Sequence, residues 1–133
     1  MAAPNIVNVT TITGVTTFHA GIAATTGGKG ALGVTTVVSN ASGSGKVLKV
    51  NSLVAAAIGT TTGVTLQYYN SAAHTGAGRT VSIAMTASVP TYSSLVVISK
   101  ENSIYLEENT SLGVFGQPNT GSLDVICSYE EIS

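Results

Sequence analysis

Apolar and polar residues alternate with a period of two along most of the chain, and no window of ten or more residues sustains a period of 3.6. That pattern predicts strands and no long helix. It is sharpest in residues 94–133. Four apolar runs stand there: Leu95-Val96-Val97-Ile98, Ile104-Tyr105-Leu106, Leu112-Gly113-Val114-Phe115 and Leu123-Asp124-Val125-Ile126-Cys127-Ser128-Tyr129. The breaks between them are Lys100-Glu101-Asn102, Glu107-Glu108-Asn109-Thr110 and Gln117-Pro118-Asn119-Thr120-Gly121. Such residues turn a chain or stay hydrated. A strand every 8–12 residues or so is the spacing of a sandwich or barrel, and the segment reads as a four-stranded antiparallel meander.

Upstream, residues 5–13 are rich in Val, Ile and Thr, which suit a pleated surface, and form the first strand candidate. Phe18, Ala20 and Ile22 alternate as a short strand would, before the flexible loop Thr25-Thr26-Gly27-Gly28-Lys29-Gly30. Leu32, Val34 and Val38 mark another strand, ended by Ser39-Asn40-Ala41-Ser42-Gly43-Ser44-Gly45. Residues 46–58 are the longest candidate. Their even positions Leu48, Val50, Val54, Ala56 and Ile58 are expected on the core, with Val47 and Leu53 as exceptions on the wetter face. Val64, Leu66 and Tyr68 repeat the alternation, and Val81, Ile83 and Met85 alternate with Thr80, Ser82, Ala84 and Thr86 up to Pro90, which cannot donate to a central ladder. Leu95-Val96-Val97-Ile98 is apolar on both sides, as a strand covered front and back would be. Leu123, Val125, Cys127 and Tyr129 share one face of the last strand. The sum is an all-β fold of eight or nine strands, an antiparallel β-sandwich of jelly-roll or immunoglobulin-like type.

Composition narrows the setting. A chain of 133 residues is expected to be one domain, 1–133, able to bury a core without metals or disulfides. Only 8% of residues are charged, against about 25% in ordinary soluble domains, and mean hydropathy is +0.39. Either the chain enters a membrane, or other protein covers much of its exterior. Spanning lipid as a helix takes about 20 consecutive apolar residues, and the best run, residues 53–58, is far shorter. An outer-membrane barrel needs aromatic girdles, and Trp is absent. Covered surface is therefore the expectation. All five Lys and Arg lie at or before Lys100 and all six acids at or after Glu101, which hints at a polar contact between the two parts or between copies. The cations are scattered rather than clustered, so no nucleic-acid partner is expected. One cysteine precludes an internal disulfide, and no secretory signal is visible, so folding in a reducing cytoplasm is expected. Without such a signal, the Asn-x-Ser/Thr triplets at Asn8, Asn40 and Asn109 carry little meaning.

No group of residues forms a chemical motif. Gly28-Lys29-Gly30-Ala31-Leu32-Gly33 matches G-x-G-x-x-G, but a Thr/Gly loop precedes it, position 53 is Leu, and no acid occurs before Glu101. Gly43-Ser44-Gly45-Lys46 resembles the end of a phosphate loop, yet Asn40 and Val47 stand where that loop needs Gly and Ser or Thr, so a hairpin turn is expected. His19 and His74 have no Cys or acid at metal-ligand spacing. Cys127 alternates with apolar residues and reads as a buried thiol; as a nucleophile it would need His19 or His74 beside it. Glu107-Glu108 and Glu130-Glu131 are acid pairs, but neighbours on a strand point apart, and solvated charge is the expectation. Tyr68 and Tyr69 should point oppositely, one into the core and one out; with Tyr92 and Tyr105, an exposed Tyr69 would suit a sugar groove. No catalytic, cofactor-binding or metal-ligating residue is assigned.

Several phrases resemble small virion structural proteins of tailed phages, of the marine, cyanophage-like kind. They are Met1-Ala2-Ala3-Pro4-Asn5-Ile6-Val7-Asn8-Val9-Thr10, Gly45-Lys46-Val47-Leu48-Lys49-Val50-Asn51, residues 95–108 (LVVISKENSIYLEE) and residues 123–133 (LDVICSYEEIS). The match covers less than half of the chain, mostly its ends, and departs from the family pattern where Asn109-Thr110 replaces Gly-Asp in the turn. The resemblance implies a capsid decoration or cement protein on the phage head surface, assembled in the host cytoplasm. It implies a homo-oligomer, expected as a trimer, bound to the major capsid protein, with residues 1–5 as an extended arm. A neck or tail-fibre module that binds a receptor carbohydrate is the alternative. The resemblance brings no enzymatic residues.

Overall fold

The structure, a computed structural model, describes residues 9–23, 34–60, 62–73, 79–117 and 121–133. Among them are β1 (Ile12–Ala23), β2 (Thr35–Asn40), β3 (Val47–Ile58), β4 (Thr62–Tyr69) and β5 (Thr80–Val89). After these come β6 (Ser94–Ile98), a 3-10 turn at Lys100–Asn102, β7 (Ile104–Leu106), β8 (Thr110–Gln117) and β9 (Ser122–Ile132). Sheet A has the order β1-β9-β3-β6, with β7 also on β3, and sheet B the order β2-β8-β4-β5. All pairings are antiparallel.

β6 lies against Leu53–Ala56 of β3 and β7 against Leu48–Val50, so the two act as one interrupted strand. Counted that way, the pairs nest: β1 with β9, β2 with β8, β3 with β6/β7, β4 with β5. This is one long hairpin, rolled until β9 also meets β3 and β8 also meets β4. Such a roll is a jelly roll, and the immunoglobulin alternative is set aside by the strand order. Apolar residues from both sheets fill the interior: Val50, Leu53, Ala55 and Ala57 of β3 and Leu123, Val125 and Cys127 of β9 face Val64 and Leu66 of β4 and Leu112 and Val114 of β8. Full burial of one such side chain stabilises the fold by roughly 1.5–3 kcal/mol.

The strand count and most strand positions match the sequence expectations, and Pro90 follows the last residue of β5. Four expectations are corrected. Residues 94–133 are not a meander, because β8 pairs with β2 and β4 in one sheet while β9 pairs with β1 and β3 in the other. The Glu107–Thr110 break is therefore a crossing between sheets, with Asn109 at φ +60°. Gly43-Ser44-Gly45-Lys46 is likewise no hairpin turn, since it carries the chain from β2 in sheet B to β3 in sheet A. Among the described residues the first strand starts at Ile12, so residues 9–11 of the expected strand precede it, and it runs on through the region read as a short strand; residues 1–8, with the expected arm and the start of that candidate, lie outside the described residues.

The fourth correction sets the character of sheet A. Even positions of β3 face the core only as far as Val50. The register slips between Val50 and Ser52. Beyond that bulge Leu53, Ala55 and Ala57 are buried and Val54, Ala56 and Ile58 turn outward. An extra residue in one strand reverses the facing of everything after it. β1 does the same between His19 and Ile22, where Gly21 takes φ +65° and donates its N–H to Asp124 Oδ1 at 2.8 Å. Phe18 thereby stays outside while Ile22 goes in.

Candidate functional site

The two bulges leave an apolar row across the solvent face of sheet A. Strand register aligns Phe18 of β1 with Ile126 of β9, Ile126 with Val54 of β3, and Val54 with Val96 of β6. Phe18 is 74% exposed, Val96 58% and Ile126 49%. A shallow cavity of about 280 Å³ opens beside the row, lined by Phe18, His19, Ala20, Val54, Ala56, Asp124, Val125 and Ile126. By strand parity Ile12, Ile58 and Tyr105 lie on the same face, so it holds six of the ten large apolar side chains exposed among the described residues. Scattered exposed apolar residues are ordinary, whereas a contiguous patch marks a contact surface. The expectation that Leu95-Val96-Val97-Ile98 is covered on both sides is corrected accordingly. Only Ile98 is fully buried, because β6 is an edge strand with one face outward.

A second row crosses the same face nearer the other end. Gly14 of β1 aligns with Glu130 of β9, Glu130 with Lys49 of β3, and Lys49 with Tyr105 of β7. Between the two rows lie Thr16, Ser128 and Ser52, with Thr16 Oγ1 and Ser128 Oγ hydrogen-bonded at 3.1 Å.

The residues weighed for chemistry are not brought together. Cys127 is fully buried, and burial pushes its thiol up from 9.0 to about 12, so it stays protonated and unreactive at neutral pH. His19 lines the surface cavity, which does not reach Cys127; His74 and the 28–33 glycine motif lie outside the described residues. The Glu108 carboxylate accepts the N–H groups of Gly43 (3.1 Å) and Gly45 (2.8 Å), tying together the two inter-sheet crossings. Glu131 pairs with Lys46 at 2.8 Å, which realises within one chain part of the contact suggested by the lopsided charge. Among the described residues no three of His, Cys, Asp and Glu gather as metal ligands would, and no helix is long and apolar enough to cross a membrane.

Nor do the tyrosines form a groove. Tyr69 is buried and Tyr68 packs partly on the core, against the expectation that one of the two would be in the core and the other exposed. Tyr92 bonds through its N–H to Ala57 O, whereas Tyr105 aligns with Lys49. Eight residues of β3 separate those partners, roughly 26 Å of strand. Scanned against protein-family models, curated proteins and solved structures, the chain finds no match.

Asn40 was missed by sequence reasoning. Its Nδ2 donates to Lys46 O (2.8 Å) and Leu106 O (3.0 Å), and its Oδ1 accepts Ser44 Oγ at 2.6 Å. A buried amide thus joins the end of sheet B to sheet A. The sole hint in the sequence is its place at the end of a strand beside a Ser/Gly turn.

Proposed function

We propose that the chain is a non-enzymatic structural protein of a phage virion, a decoration or cement protein that associates with itself and with the major capsid protein on the head surface. The observation that carries this reading is the apolar row Phe18–Ile126–Val54–Val96, left open to solvent by a chain with few charges to keep it soluble. The fold alone assigns no function, because jelly rolls serve many. Its work is mechanical. Each copy bridges neighbouring shell subunits and buries apolar area, worth roughly 25 cal/mol per Å² before the costs of association.

The test is co-sedimentation of the purified chain with undecorated heads of the encoding phage, followed by locating it in an electron-microscopy map of the particle. Saturable binding that Ile126→Lys abolishes is expected. A folded chain that ignores the heads sinks the proposal. The sugar-binding alternative draws no support from the tyrosines, which the fold disperses.

A further inference from the structure

We infer that the solvent face of sheet A is a self-matching surface, on which a second copy of this chain docks about a two-fold axis lying along the strands between β9 and β3. The inference deepens the proposed function and rests on its premise that this face is covered by protein; it does not rest on residence in a virion. The strands run β1, β9, β3, β6/β7 across the face, so such an axis lays β9 of one copy on β3 of the other, and β1 on β6/β7.

Every row then meets its complement. Glu130 faces the second copy's Lys49, and Lys49 faces its Glu130, from registers that align both residues in one row. Within the chain, the ion pair among the described residues is Lys46–Glu131, which leaves Lys49 and Glu130 available. Gly14 faces the second copy's Tyr105. Among the described residues, its chain neighbours aside, no atom lies within 4 Å of where a Gly14 side chain would begin, so the ring finds open space. Phe18 faces Val96 and Ile126 faces Val54, so the apolar row covers itself. Packed sheets cross at about 30°, which preserves these facings best near the axis, where β9 and β3 lie.

The size also fits. Val47 and Ile132, at one end of this face, are already buried, so the open part is four strands at about 4.8 Å spacing by about ten residues at about 3.3 Å, roughly 19 by 33 Å or about 1,250 Å² over two copies. Stable interfaces bury about 1,200–2,000 Å². A contact in which the same patch serves both copies closes at two, whereas three-fold order needs two different patches.

The test is sedimentation equilibrium of the full chain across a concentration series, with circular dichroism to show that each variant is folded. A dimer is expected. Lys49→Glu alone and Glu130→Lys alone each place like charges across the axis and weaken it by about tenfold or more. The double swap restores opposite charges and returns the dissociation constant to within about threefold of the parent. A monomer at every concentration, a trimer, or a dimer indifferent to the single swaps overturns the inference. Head binding is scored separately. A swap-sensitive dimer that ignores phage heads keeps this inference and removes the virion reading, and a monomer that binds heads does the reverse.

Discussion

The two sheets of this sandwich treat their outer faces in opposite ways. Sheet A turns Phe18, Ile126 and Val96 to solvent. On sheet B the outward positions of the central strands are closed. Phe115, Thr65 and Gln67 are fully buried, though they alternate with the core residues Val64, Leu66 and Val114. The segment after β4 is tied to the Ser111 end of β8 and to β2 by Ser111 Oγ to Ser71 O (2.7 Å), Ser39 Oγ to Ala72 O (2.8 Å) and Ala72 N to Asn109 Oδ1 (3.0 Å). The central strands of sheet B close their second face within the chain, whereas sheet A leaves most of its outer face open to solvent. The exposed apolar surface is therefore uneven: six of its ten large side chains among the described residues lie on sheet A, while sheet B exposes its share on the edge strand β5, at Val81, Ile83 and Met85.

Two phenylalanines test this difference most directly. Phe115→Ala should cost about 3–5 kcal/mol of unfolding free energy, as for a large ring removed from a packed interior. Phe18→Ala should cost less than about 0.5 kcal/mol in the dilute chain, as exposed substitutions do. Urea unfolding at low protein concentration reads both. Equal costs would mean that the faces are not different in kind.

The link between the sheets comes next. Asn40→Ala strips two carbonyls, Lys46 O and Leu106 O, of their side-chain donor and leaves Ser44 Oγ without its acceptor. A loss of about 2–3 kcal/mol is expected in the same unfolding assay, since an abandoned buried partner costs about 1–3 kcal/mol. A loss below about 0.5 kcal/mol would show that the crossings hold without it.

Alkaline pH reaches the inner face of sheet A through Cys127. Its folded pKa of about 12 lies above the ordinary 9.0, so the folded state keeps a proton that the unfolded state gives up. The stability this provides is complete below pH 9 and drains as pH rises towards 12, at up to about 1.4 kcal/mol per pH unit. Tyr129, raised by burial and then by the charge of Glu131, pulls the same way at higher pH. Cys127→Ala should flatten the slope of unfolding free energy against pH between 9 and 10.5, whatever it does to the absolute value. An unchanged slope would place the alkaline loss elsewhere.

Strand identity was legible in the sequence because burial imposes a period of two on the alternation of Val64 with Leu66 and of Leu123 with Val125 and Cys127. Pairing was not. A strand's own residues do not say which distant strand lies beside it, so the Glu107–Thr110 and Gly43–Lys46 turns read as local hairpins when they cross between sheets. Facing was half legible. The apolar Leu53, out of step with the even positions, was the trace of the bulge between Val50 and Ser52. Without that slip Val54 would point inward and the row across sheet A would be broken. The candidate face was hidden for the same reason: Phe18 and Val96 read as ordinary strand residues until register put them in line with Ile126.

The smallest effect probes the closed face of sheet B from the other direction. Gln67 is fully buried there, and among the described residues neither atom of its amide meets a hydrogen-bond partner. Register sets it beside Gly113 and Ser82, and the Ser82 hydroxyl is itself buried and has no partner among the described residues. An amide so placed loses its contact with water and gains nothing in return. Gln67→Met keeps the length of the side chain and removes both polar atoms, so the folded state should gain about 1 kcal/mol. The equivalent change on the open sheet, Ser52→Met, relieves no desolvated group and should leave the dilute chain within about 0.5 kcal/mol of the parent. If Gln67→Met destabilises instead, its amide is being satisfied, and the outer side of sheet B is a wet surface like that of sheet A rather than a second interior.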